Sequence, residues 1–128
     1  AMKRKQFLKG INQISEEGSI QIFKQPNIGV ETLIIGVVGV LQFEVLEYRM
    51  KNEYGVDIII EKLPYTLARW VMVKTVTREM LGFADSAKAV EDSHGRPVIL
   101  YNSEWTFNRA QEKNKDVQFL EIPPIVNQ

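Results

Sequence analysis

Lys3, Arg4, Lys5 and Lys9 place four cations at the opening of the chain, with no acid before Glu16. Such a patch suits a polyanion, because each neutralised phosphate releases counterions; a solvated helix start is the plainer reading of the same residues. Gly36-Val37-Val38-Gly39 is a Gly-x-x-Gly pattern. An RNA-backbone clamp of that form joins two helices and carries polar or basic residues between its glycines, whereas this one leads from a strand to a helix and holds two valines, which favours a structural turn. Asp92, Ser93 and His94 supply the residue types of a hydrolytic triad. Three neighbours in one short loop do not converge as a triad must, so an exposed loop is expected. Glu44 and Glu47 stand three apart and suit a charged helix face, with Arg49 and Lys51 as ordinary surface partners. Arg69, beside Trp70 in an apolar run, must find a carboxylate, a carbonyl or a partner surface, because an isolated buried charge is costly; an internal ion pair and an interface are equally open.

Other chemistries lack their residues. The chain has no cysteine and one histidine, His94, which excludes thiolate and multi-histidine metal sites. No Gly-x-x-x-x-Gly-Lys-Ser/Thr loop for a triphosphate occurs. Neither a catalytic residue, a metal ligand nor a cofactor-binding residue is assigned. An acyl-phosphate hydrolase would need a phosphate-cradling loop with an arginine, and the glycine turn at 36–39 has no basic residue.

The elements that must carry these residues follow from periodicity. Phe7, Leu8, Ile11 and Ile14 form one apolar stripe on a helix over Lys3 to Glu17, stopped by Gly18. Ile20 and Ile22 alternate with polar residues, Gln25 to Gly29 form a loop, and Glu31 to Val38 completes a hairpin. From Val40, the residues Phe43, Leu46, Met50 and Tyr54 mark a helix face, widened by Leu41, Val45 and Tyr48, and Gly55 caps its end. Val56 to Leu63 and Ala68 to Val73 read as strands. Thr77 is the expected cap of a helix from Arg78 to about Val90, followed by a polar loop to Pro97. Val98 to Tyr101 is a short strand, Asn102 or Ser103 caps a helix to about Asn114, and Val117 to Ile122 is the last strand. All five prolines fall outside the expected elements.

The fold class is therefore α+β, a two-layer ferredoxin-like sandwich related to the βαββαβ plan. Its sheet is largely antiparallel, its first strand is absent from this chain, and further strands and helices elaborate it. One domain is expected over residues 1–128, with Ala1 a residue left by expression. Sixteen basic and sixteen acidic side chains give a net charge of zero, so any contact with nucleic acid must be local. The nine-residue apolar stretch Leu33 to Leu41 falls far short of the roughly 20 residues that span a bilayer, so no membrane partner is expected. A strand edge left open by the absent first strand favours dimerisation of the isolated chain. Without cysteines a reducing cytoplasm fits best.

The run Leu33-Ile34-Ile35-Gly36-Val37-Val38-Gly39-Val40-Leu41-Gln42-Phe43-Glu44-Val45-Leu46, followed by Arg49-Met50-Lys51-Asn52-Glu53-Tyr54-Gly55-Val56, resembles the C-terminal domain of the bacterial peptide chain release factor 3 family. Gln13, Ser15, Glu16, Glu17 and Gly18, then Ala68-Arg69-Trp70-Val71, then Asp116-Val117-Gln118-Phe119 resemble it in the same order, so nearly the whole chain is covered. The third domains of translocation factors are weaker relatives. The resemblance implies a non-catalytic module of a translation GTPase whose GTP-binding domain lies N-terminal and outside this chain. It implies as partners the ribosome, through small-subunit protein and rRNA, and the preceding domains, in a factor that promotes removal of class I release factors. Candidate contacts are Lys3, Arg4, Lys5, Lys9 and Arg69. The loop Asp92 to Pro97 departs from the family's pattern, so His94 and Arg96 take no role from it. The alternative reading is a ligand-sensing regulatory module of the same architecture.

Overall fold

The computed structural model describes residues 2–25, 33–82 and 86–124. Four helices and six strands are described: α1 Met2–Glu16, β1 Ile20–Lys24, β2 Leu33–Val37, α2 Leu41–Tyr54, β3 Leu67–Val71, α3 Arg78–Leu81, β4 Ala87–Asp92, β5 Pro97–Tyr101, α4 Glu104–Lys113 and β6 Phe119–Leu120. The class is α+β, and the ladders whose registers are described run antiparallel. Two compact units divide the chain, residues 1–23 with 28–62 and residues 24–27 with 63–128.

In the first unit two helices cover two neighbouring strands, and the buried layer consists of Ile11, Ile14, Ile20, Ile22, Leu46, Met50 and Val56. Leu33, Ile35 and Val37 of β2 pack against it. Ile11 and Ile14 of the α1 stripe and Leu46 and Met50 of the α2 face thus bury, Phe7 and Tyr54 pack partly buried against them, and Leu8 and Phe43 are only half-buried. Helix α1 ends before Gly18, whose φ of +86° suits a residue without Cβ, and α2 ends on Gly55 at φ +68°, whose amide bonds the Lys51 carbonyl. Leu41, Val45 and Tyr48, expected to widen the inner face, instead point outward and are exposed. The inner stripe is narrower because α2 buries only Leu46 and Met50 in its layer, with Tyr54 packed against them partly buried.

In the second unit the strand order is β4-β5-β3-β6, with Arg69 opposite Ile99 and Trp70 opposite Val98. Val71, Met80, Ile99, Tyr101, Phe107 and Ala110 form its buried cluster. Tyr101 is wholly buried and donates from its hydroxyl to the Met80 carbonyl at 2.8 Å. Ser103 caps α4 by accepting from the Thr106 amide at 3.2 Å.

Four expectations are corrected. The segment from Val56 to Leu63 forms no strand, because among the described residues its backbone has no ladder partner. The helix expected to Val90 is one turn, α3, after which Gly82 takes φ +75°; Ala87–Asp92 is strand β4, paired with β5. Pro97 does not stand outside the elements but opens β5, a place a strand tolerates because the first residue need not donate to the ladder. The last strand shrinks to Phe119–Leu120. The loop expected at Gln25 to Gly29 lies largely outside the described residues.

Candidate functional site

The four N-terminal cations ride on α1, whose apolar stripe faces inward, so Lys3, Arg4, Lys5 and Lys9 are all exposed. Lys5 and Lys9 stand one turn apart on the same side, an arrangement that raises the local positive potential at a small cost to the helix. Lys3 differs from them. Its Nζ donates to the carbonyl oxygen of Gly55, beyond the last turn of α2, where the helix dipole favours a cation. One member of the cluster therefore also ties α1 to α2.

Arg49 makes a second tie between these helices. It donates to Glu17 Oε1 at 2.6 Å and Oε2 at 3.0 Å, and to Glu53 Oε2 at 2.9 Å and Oε1 at 3.0 Å. Hydrogen bonds from Arg49 hold both carboxylates below their ordinary pKa, and the same bonds raise that of Arg49. Its partners are therefore Glu17 and Glu53, and Glu44 and Glu47 stay exposed on the same helix.

Arg69 belongs to β3, in the second unit. Its Nη1 donates to the Ala68 carbonyl at 2.8 Å, its Nη2 stands 3.6 Å from Glu121 Oε1, and the guanidinium lies 4.7 Å from the centre of the Phe107 ring. Only 15% of its side chain is exposed. A carbonyl, a carboxylate and an aromatic face are the partners that a cation in an apolar strand requires.

The glycine turn is built for packing. A Cβ on Gly36 would come 3.1 Å from the Phe23 ring, whereas one on Gly39 would meet nothing within 4 Å. Gln42 closes the turn, its Oε1 accepting from the amides of Val38 at 2.9 Å and Gly39 at 3.4 Å. These two amides point at their own chain, which leaves them unavailable to a phosphate.

Asp92 is buried, contrary to its expected exposure, whereas Ser93 and His94 are exposed as expected. The Asp92 carboxylate accepts from Trp70 Nε1 and the amides of His94 and Arg96, each at 2.9 Å, and from Arg96 Nε at 2.7 Å. Burial pushes its pKa up, but the donors from Trp70, Arg96 and His94 outweigh that and leave it below the ordinary value. The residues that looked like a triad thus form a turn organised by a fixed anion: Ser93 Oγ stands 3.4 Å from His94 Nδ1, but Asp92 meets His94 through its backbone amide and not through its ring.

A ridge on α4 escaped the sequence reading. Trp105 is 60% exposed and the Arg109 guanidinium lies 5.0 Å from its ring centre, with Lys113 a turn further on. Together with Glu79, Gly82, Thr106 and Ala110 they line a shallow surface groove. The spacing i, i+4, i+8 was legible, but Trp105 next to a cap reads equally as core. Among the described residues no group of three or more His, Cys, Asp or Glu could hold a metal ion, and no helix is long and apolar enough to cross a membrane.

The family model described as class II release factor RF3, C-terminal domain, matches residues 1–111. Curated relatives bear the name peptide chain release factor 3. One from Cyanothece sp. (strain PCC 7425) is 41% identical over 125 residues, covering 98% of this chain and 23% of the relative. One from Symbiobacterium thermophilum is 43% identical over 119 residues, covering 93% and 22%. Another from Gloeobacter violaceus is 40% identical over 124 residues, covering 96% and 23%. The chain thus spans less than a quarter of the length of the relatives it matches.

Proposed function

Because this chain belongs to the family of class II release factor RF3 C-terminal domains, we propose that it is the non-catalytic, ribosome-engaging part of a translation-termination GTPase. In this reading it works in the cytoplasm, the longer factor promotes departure of class I release factors, and GTP is bound and hydrolysed in polypeptide outside these residues. The observation that carries the proposal is the nearly full-length match to proteins named peptide chain release factor 3. Supporting it, α1 keeps Lys3, Arg4, Lys5 and Lys9 on its exposed side, a local positive field on a protein of net charge zero. Small-subunit rRNA is the partner that such a field suits, and phosphate contacts position a protein without reading sequence. Arg69 enters only by holding β3 in shape, since its guanidinium already has internal partners.

The test is ribosome binding by the full-length factor as a function of salt. Four phosphate contacts at about 0.7 to 0.9 each give a log-log slope near 3 for this patch. Replacing all four cations by alanine should weaken ribosome affinity, flatten the slope by about that amount and leave GTP binding intact. Unchanged affinity and slope would return the cluster to a solvated helix face.

A further inference from the structure

Helix α4 buries Thr106, Phe107 and Ala110 and carries on another side a ridge that the buried cluster of the second unit does not include. The ridge opens with Trp105, which is 60% exposed. An indole left in water forgoes the burial that would otherwise stabilise the fold. The other tryptophan shows the ordinary structural use of this side chain: Trp70 is 3% exposed and donates from Nε1 to Asp92. Trp105 instead has the Arg109 guanidinium 5.0 Å from its ring centre, and lines a shallow groove with Arg109 and Lys113 of α4 and Glu79 of α3. Four residues of helix rise about 6 Å, so an aromatic face, a guanidinium and an ammonium follow one another along the ridge. Glu104 and Glu112, the acids of α4, are not among the residues that line the groove, and Glu79 comes from α3. The cations of the groove are therefore gathered on its α4 wall.

We infer that this ridge is a binding site for single-stranded RNA, with one base stacked on Trp105 and the adjoining phosphates held by Arg109 and Lys113. Shape and charge select RNA over a protein. The anchor of a protein interface sits in a well-packed, desolvated patch, whereas the exposed neighbours of Trp105 on α4, Glu104 and Asn108, are polar. A stacked base needs only one aromatic face, and cations spaced along a groove give the backbone its track; proteins that hold single strands combine these two devices. Paired bases keep their faces inside the duplex, so the strand must be single. A guanidinium that meets an indole by its face keeps its N–H fork in its own plane, the geometry that meets an oxyanion. Glu79 repels phosphate and so confines the backbone to the α4 side. The chemistry differs from that of α1, which offers charge alone. All residues of the ridge belong to the second unit, and the inference does not rest on the α1 cluster.

The test is binding of a labelled oligoadenylate to the 128-residue chain at low salt, beside an abasic strand of the same length. Oligoadenylate should quench indole emission. Because Trp70 is buried, the quenching should vanish in Trp105→Phe, which should still bind within about threefold since a phenyl ring also stacks. Trp105→Ala should weaken oligoadenylate binding by about 5- to 150-fold and leave binding of the abasic strand unchanged. Arg109→Ala with Lys113→Ala should weaken both strands and flatten the log-log salt slope by about 1.4, two single-strand contacts at roughly 0.7 each. Replacing the four α1 cations by alanine should preserve the Trp105-dependent difference between the strands, so either site can fail without the other. Absence of oligoadenylate binding, or a Trp105→Ala variant that binds both strands as the parent does, would overturn the inference. Equal weakening of both strands by Trp105→Ala would do the same, since it marks a structural role. Ribosome affinity of the full-length factor that falls with Trp105→Ala while oligoadenylate binding stays level would assign the ridge to a protein partner and overturn it as well.

Discussion

Two glycines show how a single Cβ changes sign with its surroundings. Gly10 sits inside α1 where alanine is the better helix former by about 1 kcal/mol, but a Cβ there would meet Met50 Sδ and the Tyr54 ring at 2.8 Å. Both neighbours are held, since Met50 is wholly buried and the Tyr54 hydroxyl donates to Gln13 Oε1. Overpacking of this kind costs about 1 to 3 kcal/mol, so Gly10→Ala should lower stability despite its propensity gain, whereas Gly39→Ala, with open space around it, should be neutral or slightly stabilising. Denaturant titration of the two variants decides between packing and propensity as the reason for glycine at each place. Asp92 makes a residue-scale prediction in pH. Its carboxyl is held below the ordinary value by the donors around it, so its contribution is present above the unfolded pKa near 4 and is lost as pH falls through the lower folded value. Asp92→Asn should cost about 1.5 to 3 kcal/mol at neutral pH by leaving the donors of Arg96 and Trp70 with a weaker acceptor. The stability curves of variant and parent should converge as the pH is taken down into the acid range. A constant gap from pH 7 to pH 2 would mean that the charge is irrelevant and only the side chain's shape matters.

Helix α2 separates the face the sequence could show from the one it could not. Leu46 and Met50 are buried while Leu41, Val45 and Tyr48, equally apolar and on helical spacing, are exposed. Leu46→Ala should therefore cost about 2 to 5 kcal/mol, whereas Val45→Ala should stay within roughly 0.5 kcal/mol; thermal unfolding of both variants would expose a reversed face at once. Periodicity places α1 and α2 close to their observed bounds, because each pairs an apolar repeat with a punctuating glycine, while α4 is placed by its serine cap. It failed at Ala87–Asp92 for a physical reason. Alanine and lysine favour helix, but five residues of this strand find partners on β5 from Pro97 to Tyr101, and a ladder with a buried neighbour outweighs propensities of a few tenths of a kcal/mol. Gly82, at φ +75°, is the helix stop that the sequence itself displays. The burial of Asp92 escaped in part for a different reason, since one of its donors, Trp70, lies 22 residues away, although the other three bonds come from His94 and Arg96 within four residues. The Arg49 fork to Glu17, 32 residues away, escaped likewise. Local spacing carries no information about either.

At the scale of the whole molecule, charge is balanced, so attraction to a polyanion must come from where the cations stand and not from how many there are. Within the α1 cluster the structure divides two jobs that the sequence could not tell apart. Lys3 donates to the Gly55 carbonyl at the end of α2, an interaction of the kind worth about 0.3 to 1 kcal/mol near a helix C-terminus. Lys5 and Lys9 are exposed one turn apart on α1 and repel each other slightly within the fold. Lys3→Ala should therefore lower the unfolding free energy by a few tenths of a kcal/mol as well as weaken ribosome binding. The double variant Lys5→Ala with Lys9→Ala should leave stability level or slightly raised. If both lysines meet phosphates, the same double variant should reduce the salt slope of ribosome binding by about 1.4 to 1.8, two contacts at roughly 0.7 to 0.9 each. Measured side by side in the full-length factor, the two variants separate scaffold from contact. A double variant that loses stability but keeps its salt slope would show that the cations serve the helix and that the polyanion, if one binds, is met elsewhere.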